Sequence, residues 1–253
     1  MNTKKNLNPI GYVYHLSQNI KSMQLIFAAV LLISSCVVCA KTAIPKMVFL
    51  QFEISTSGIT VGTNTEIFKR SGLDYEIIST TNPKGIASLF LGKIHRISKG
   101  KVTPAGLKPK FFEERGRYKG KRSANFDWIN KSITLTNASG IRKLTMSPNT
   151  IDQAGFLFSF LVKPPRKQIE ISLTDGIRLK RYKYIEKNTE RITTPAGVFN
   201  TLRLIKVITT NDQRKFEIWL SNKHDYLPVK IKFTNKKGRS FESILNKISI
   251  EYD

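Results

Sequence analysis

The residues of this chain that could do chemistry are few, and they form no catalytic pattern. His95 lies in a basic stretch with no cysteine or carboxylate at metal-ligand spacing. His224 precedes Asp225, which could orient an imidazole, but no Gly-x-Ser-x-Gly turn supplies a nucleophile, so a plain turn is favoured. The adjacent acids Glu113 and Glu114 would point to opposite faces of a strand, so no two-carboxylate pair is predicted. Without a Gly-rich phosphate loop either, we predict no catalytic residue, no metal site and no cofactor.

The elements that position these residues are predicted from the alternation of apolar and polar side chains. Val48, Leu50 and Phe52 share one parity, as in a half-buried strand. Short turns rich in Gly, Pro and Asn separate many such segments, and this spacing favours antiparallel hairpins over crossover helices. We therefore predict an all-β, mainly antiparallel fold, a curved sheet or open β-barrel. Further strands are predicted over residues 59–68, 75–81, 86–97, 109–118, 122–128, 132–136, 169–173, 178–186, 199–209, 214–220, 227–233 and 241–252.

One helix is predicted, over residues 150–162. Ser147 or Asn149 could cap it, and Asp152 would lie near the positive end of its dipole. The segment is apolar almost all round, so it must be buried on several sides, and we expect it against the concave side of the sheet. Its large side chains would either complete the core or border a cavity. The candidate cavity-lining residues are Phe156, Phe158, Phe160 and Leu161.

The first forty residues are typical of an export signal. Their only charges are three lysines, which precede the apolar run Met23–Ile33, and small residues end the segment at Ala40. Cleavage after Ala40 would leave residues 41–253 as a single β-rich periplasmic domain without cysteine. Two alternatives remain open: the segment before Cys36 resembles a lipobox, which would make the protein a lipoprotein anchored at Cys36, or the segment could stay uncleaved.

The charge of the chain is strongly positive, with 42 Lys and Arg residues against 18 Asp and Glu, a net charge of +24. Loss of the three lysines in the first forty residues would reduce it only to +21. Such an excess favours an anionic envelope partner: lipid headgroups, lipopolysaccharide or wall polymer, with peripheral membrane contact. The alternative is that the basic residues are dispersed and only maintain solubility. Nucleic acid is not expected as a partner, since no nucleic-acid-binding motif accompanies the charge.

The most specific pattern lies in the last third of the chain. A Pro-Ala-Gly-Val-Phe segment at residues 195–199 is followed by a strand with Trp219 and by Tyr-Leu-Pro-Val at residues 226–229. Pro195 presets a turn, Gly197 permits a positive φ, and Phe199 returns the chain to the core. With Trp219 and Pro228, these are our candidate turn and core residues.

In these motifs the chain resembles the bacterial domain of unknown function 3108 family, and the resemblance covers most of residues 47–250. It implies an exported protein of proteobacterial type with a barrel-like, all-β fold and no established activity. The family usually has an Asp followed closely by a Ser at the start of the helix, whereas this chain keeps Asp152 and lacks the Ser. We expect a non-enzymatic periplasmic binding or scaffold domain. The alternatives are a lipid or lipoprotein carrier with a half-barrel cavity and, less favoured, a wall-polymer hydrolase.

Overall fold

The structure, a computed structural model, describes residues 43–90, 92–116, 120–210 and 212–253. The first 42 residues, which include the predicted export signal and Cys36, lie outside this description. The described strands form one sheet in the order β8-β7-β6-β5-β4-β3-β2-β1-β15-β14-β13-β12-β11-β10-β9. The strands are β1 Met47–Thr56, β2 Ile59–Ser71, β3 Asp74–Pro83, β4 Ile94–Thr103, β5 Gly106–Gly116, β6 Gly120–Asp127, β7 Ser132–Asn137, β8 Gly140–Thr145, β9 Thr150–Asp152, β10 Gln168–Thr174, β11 Leu179–Thr194, β12 Gly197–Lys206, β13 Lys215–Ser221, β14 Pro228–Thr234 and β15 Ser240–Glu251.

Neighbouring strands pair in antiparallel fashion, except β9 and β10, which are parallel. The N-terminal strand β1 lies at the centre, between β2 and β15, so the first and last strands of the domain hold its two halves together. Val48, Leu50 and Phe52 alternate inward from β1 and are fully buried, as their parity predicts. The predicted fold class, a curved antiparallel sheet with one buried apolar helix, is confirmed.

Among the described residues, two helices interrupt the strands: α1 Ala87–Phe90 and α2 Gln153–Val162. The short α1 corrects our prediction of a strand over residues 86–97. In the structure β3 ends at Pro83, and β4 begins only at Ile94. Ile86 and Leu89 are exposed, so apolar character there does not reflect a buried strand. The strand β8 was not predicted at all, because most of its residues face solvent and show no alternation.

The helix α2 packs against β3, β4 and β5 from the first half of the sheet and against β9 and β10 from the second. It starts at Gln153 rather than at residue 150, since residues 150–152 pair with β10 as strand β9. Asp152 is therefore the N-cap, in place of the predicted Ser147 or Asn149. Its Oδ1 accepts hydrogen bonds from the backbone N–H of Ala154 at 3.0 Å and of Gly155 at 2.8 Å.

Candidate ligand-binding cavity

A cavity of about 390 Å³ lies between α2 and strands from both halves of the sheet. This volume is within the range of small-molecule sites, roughly 300–1,000 Å³. The ring of Phe156 lines the cavity, stacking on Tyr184 at 5.1 Å and meeting Phe216 edge-on at 6.1 Å. The cavity therefore offers an apolar, aromatic surface to a ligand. Its apolar lining comes from Phe156, Leu157, Leu173, Tyr184, Phe216, Ile231 and Phe233.

One wall of the cavity is cationic and belongs to β12 and the segment before β13. Arg214 donates through Nε and Nη2 to the two carboxylate oxygens of Asp212, each at 2.7 Å. Lys206 Nζ lies 3.2 Å from the same carboxylate and is almost fully buried. The hydrogen bonds from Arg214 hold the pKa of Asp212 well below its usual range, while burial lowers that of Lys206. One carboxylate shared by two cations leaves this wall with a surplus positive charge.

A second polar surface crosses the first half of the sheet and reaches the cavity. The register places five side chains directly opposite one another on successive strands β2 to β6, and they alternate in charge around one serine. Glu114, at the fourth position, accepts from Arg96 at 2.6 Å and from Arg122 at 2.7 Å. All five are largely shielded from solvent, so the row is a desolvated ion-pair network. We call it the polar row: Glu66, Ser79, Arg96, Glu114 and Arg122.

Glu66 ends the polar row and lines the cavity. Its Oε1 accepts from Asn64 Nδ2 at 2.6 Å and from Ser79 Oγ at 2.8 Å. Its Oε2 is buried and has no hydrogen-bond partner within the described part of the chain. Burial raises the pKa of Glu66 to about 7, although the bonds from Asn64 and Ser79 and the charge of Arg96 act to lower it. Burial therefore keeps the proton on this carboxyl to a higher pH than is usual for a glutamate.

The position of α2 depends on a second buried acid, Asp152. Besides capping the helix, its Oδ2 accepts a hydrogen bond from Ser98 Oγ at 2.6 Å, and Ser98 Oγ lies 3.2 Å from Tyr75 Oη. Burial raises the pKa of Asp152 to about 6, against the opposing effect of these hydrogen bonds. The chain Tyr75, Ser98, Asp152 thus ties the start of α2 to β3 and β4, and so fixes one wall of the cavity.

The four aromatic and aliphatic residues predicted to border a cavity lie in different places. Phe156 lines the main cavity, and Phe160 borders a smaller one of about 220 Å³ beside the segment that follows α2. Phe158 is fully buried and stacks on Phe68 at 5.5 Å, away from both cavities. Leu161 is buried in the core. The helix therefore supplies both core and lining, with Leu157 as a lining residue that the sequence did not suggest.

The predicted turn and core residues occupy a hairpin and its neighbours. Pro195 and Ala196 form the turn between β11 and β12, and Gly197 follows with φ at 134°. Phe199 is buried against the ring of His224 at 5.3 Å. Pro228 is buried where β14 begins. These contacts are structural and lie outside the cavity lining.

Trp219 is buried on the opposite face of β13 from the cavity. Its Nε1 donates to Glu190 at 3.0 Å, and the cations of Arg203 and Lys230 lie about 5 Å above its ring. Arg203 in turn pairs with Glu190 and Glu217. A cluster of cations and one aromatic ring therefore covers this face of β13, and Trp219 is buried within it.

The residues first considered for catalysis are each engaged elsewhere. His224 Nδ1 lies 2.8 Å from Ser221 Oγ, and Asp225 instead accepts from Tyr252 Oη at 2.6 Å, so the two do not form a relay. His95 lies beside Thr80. Glu113 pairs with the exposed Arg115 and Lys121, on the face opposite to Glu114. Across the described ranges, no three His, Cys, Asp or Glu side chains converge on a point that could hold a metal ion.

Sequence reasoning missed Glu66, Lys206 and Arg214 as cavity residues. A signal existed for Glu66, because it shares the inward parity of Asn64 and Phe68 on β2. A charged residue at an inward position of a strand is unusual. Lys206 and Arg214 gave no such signal, because one carboxylate, Asp212, brings them together only in the folded chain.

Comparisons with known proteins add the fold and the family. A β-barrel-like protein of domain of unknown function DUF1849 from Brucella abortus is similar in structure, with a TM-score of 0.54 and 10% sequence identity, covering 84% of this chain and 100% of that one. A Bacteroides fragilis protein with a YmcC-like fold matches with a TM-score of 0.36 and 12% identity, covering 81% and 96%. No curated protein sequence matches the chain. No helix in the described ranges is long and apolar enough to cross a membrane. The model of the family described as "Protein of unknown function (DUF3108)" matches residues 51–243, and the chain belongs to this family.

Proposed function

We propose that this protein is a non-enzymatic periplasmic binding protein whose cavity holds an amphiphilic anion, such as a lipid of the cell envelope. The observation that carries the proposal is the aromatic cavity of about 390 Å³ with a surplus cation on one wall. An acyl chain would pack on Phe156 and Phe216. An anionic headgroup would lie against Lys206 and Arg214, which together offer more positive charge than Asp212 neutralises.

Export to the envelope is supported by the apolar segment Met23–Ile33 with its small-residue end at Ala40. Cleavage there would release the domain into the periplasm, whereas acylation of Cys36 would anchor the same domain to a membrane. The basic surface of the domain would favour contact with anionic lipid headgroups, lipopolysaccharide or wall polymer in either case. Binding of a single lipid molecule in the cavity is compatible with both forms.

The absence of enzymatic activity is part of this proposal. Of the three carboxylates that line the cavity, Asp212 is held by Arg214 and Lys206, and Asp175 lies 3.6 Å from Arg178. Glu66, the third, is hydrogen-bonded to Asn64 and Ser79 and to neither of the other two carboxylates among the described residues. Hydrolysis of a wall polymer would require two carboxylates on either side of a scissile bond, and ion-paired acids are poor proton acceptors.

A fluorescent fatty-acid probe tests whether the cavity binds an acyl chain. We expect the parent protein to take up the probe and Leu157→Trp to lose most of this uptake, because the larger ring fills the space beside Phe156. The matched control is Ile141→Trp, which places the same ring on the exposed strand β8. A parent protein that takes up no probe, and that retains no lipid in native mass spectrometry, would overturn the proposal and leave the scaffold alternative.

The headgroup site is tested separately by charge. We expect Arg214→Gln to weaken binding of a fatty-acid carboxylate about tenfold and to leave the matched fatty alcohol almost unaffected, since a charge-assisted hydrogen bond contributes roughly 1.5–3 kcal/mol. Lys223→Gln, in the turn after β13, serves as the control for one lost positive charge. Equal losses for both ligands would mean that Arg214 only maintains the shape of the cavity.

A further inference from the structure

The inner polar surface of the cavity ends in a carboxyl oxygen that has no hydrogen-bond partner among the residues that the structure describes. Glu66 is 2% exposed, yet it lines the cavity, and only its Oε1 is engaged by Asn64 and Ser79. A buried carboxyl oxygen without a partner costs free energy, and most such groups in folded proteins are paired. An alkyl chain end placed beside it would leave this oxygen unpaired.

We propose that Glu66 recognises a hydroxyl group of the ligand, so that the cavity takes an amphiphile with a second polar group apart from its anionic head. This inference rests on the proposed function, because it concerns the same cavity. The ligand hydroxyl would form a hydrogen bond with Glu66 Oε2, while Asn64 and Ser79 hold the carboxyl in place through Oε1.

A hydroxyl group matches this site better than other polar groups. Because Oε1 already accepts two hydrogen bonds, a proton on the carboxyl must lie on Oε2. The ionised carboxyl can accept a bond from a hydroxyl, and the protonated carboxyl can donate one to it, so a hydroxyl satisfies Glu66 in both states. A ligand ammonium would lie near Arg96, the next charged residue of the polar row, and would be repelled by it.

The hydroxyl site and the headgroup site lie on different walls of the cavity. Asn64, Glu66, Ser79 and Arg96 come from β2, β3 and β4, whereas the cationic wall comes from β12 and the segment before β13. In the sheet, strands β1, β15, β14 and β13 lie between β2 and β12. The apolar side chains of β13, β14 and α2 complete the lining. A ligand that satisfies both walls must therefore carry two polar groups joined by an apolar segment.

The experiment compares saturated fatty acids of increasing chain length with their ω-hydroxy counterparts, by displacement of the fluorescent probe. For the parent protein we expect the hydroxylated member of at least one pair to bind at least tenfold more tightly. Glu66→Leu should remove or reverse this preference. Glu66→Gln should retain it, because an amide can still exchange a hydrogen bond with a hydroxyl. Glu76→Leu, on the outward face of β3, is the matched control and should leave the preference unchanged.

The outcomes separate this inference from the proposed function. If both members of every pair bind the parent equally, a water molecule suffices for Glu66 and the inference is overturned, while lipid binding stands. If neither member binds, the proposed function fails and the inference fails with it. Since the preference is measured on the parent protein, this test does not depend on the folding of Glu66→Leu.

Discussion

Replacing Glu66 by Gln should make the stability of the protein less dependent on pH. Glu66 has its pKa raised from 4.5 to about 7 in the folded protein. In the unfolded chain it ionises near 4.5, so between pH 4.5 and 7 the folded state binds the extra proton, and stability falls as pH rises. A shift of about 2.5 units corresponds to roughly 3 kcal/mol. Glu66→Gln keeps an oxygen for Asn64 and Ser79 but cannot ionise.

Urea denaturation at several pH values measures this effect as the difference in unfolding free energy between variant and parent. We expect a difference near zero below pH 4.5, which grows to about 3 kcal/mol in favour of Glu66→Gln above pH 7. Asp152 also titrates in this window, but it is present in both proteins, so the difference removes its contribution. Glu76→Gln, on the adjacent strand, controls for the loss of one acidic charge. A difference that stays constant from pH 4.5 to pH 8 would refute the assignment of Glu66 as a buried, half-paired acid.

Four further outcomes are expected. Asp152→Ala should lower the unfolding free energy by about 1–2 kcal/mol, because the N-cap of α2 is lost. Adding Ser98→Ala to this variant should lower the unfolding free energy little further, because both changes remove the same hydrogen-bond network. Additive losses in urea denaturation would contradict that network. Gly197→Val should cost roughly 1–3 kcal/mol, since a β-branched residue is strained at a φ of 134°; an unchanged melting temperature would contradict this. Intact-mass analysis of the envelope form should give an N-terminus at Lys41, whereas acylated Cys36 would identify a lipoprotein and a retained Met1 would exclude both. The mature protein should sediment with anionic vesicles at low salt and release them at high salt. Added salt weakens the attraction, because charge is already screened over about 8 Å at physiological ionic strength. Binding that is insensitive to salt would exclude an electrostatic mechanism.

The architecture was predictable from the sequence because alternation is a local signal. Val48, Leu50 and Phe52 identify β1 without knowledge of its partners, and the all-round apolar character of α2 indicates a buried helix. The prediction was wrong where local character and burial diverge. Ile86 and Leu89 are apolar but exposed in and beside α1, and β8 is a strand whose residues are polar or exposed because it lies at the edge of the sheet.

The candidate site was less predictable, because it depends on strand register. Glu66, Arg96 and Glu114 are far apart in sequence, and only the pairing of β2 to β5 places them in one row. The inward position of Glu66 on β2 is visible in the sequence. That its Oε2 has no hydrogen-bond partner among the described residues is visible only in the folded structure. Lys206 and Arg214 likewise acquire their shared role only when both contact Asp212.

The sheet ends in two edges, β8 and β9, with no hydrogen-bonded ladder between them in the described strands. Between the two halves of the sheet, α2 contacts β3, β4 and β5 on one side and β9 and β10 on the other, and β9 also lies against β5. Arg142 of β8 donates to the backbone oxygen of Ile177. The described strands therefore form an open sheet in which no row of backbone hydrogen bonds fixes the distance between the two edges. The separation of these edges can therefore change while every strand ladder stays intact, whereas the width of a fully closed barrel is set by its number of strands and their stagger.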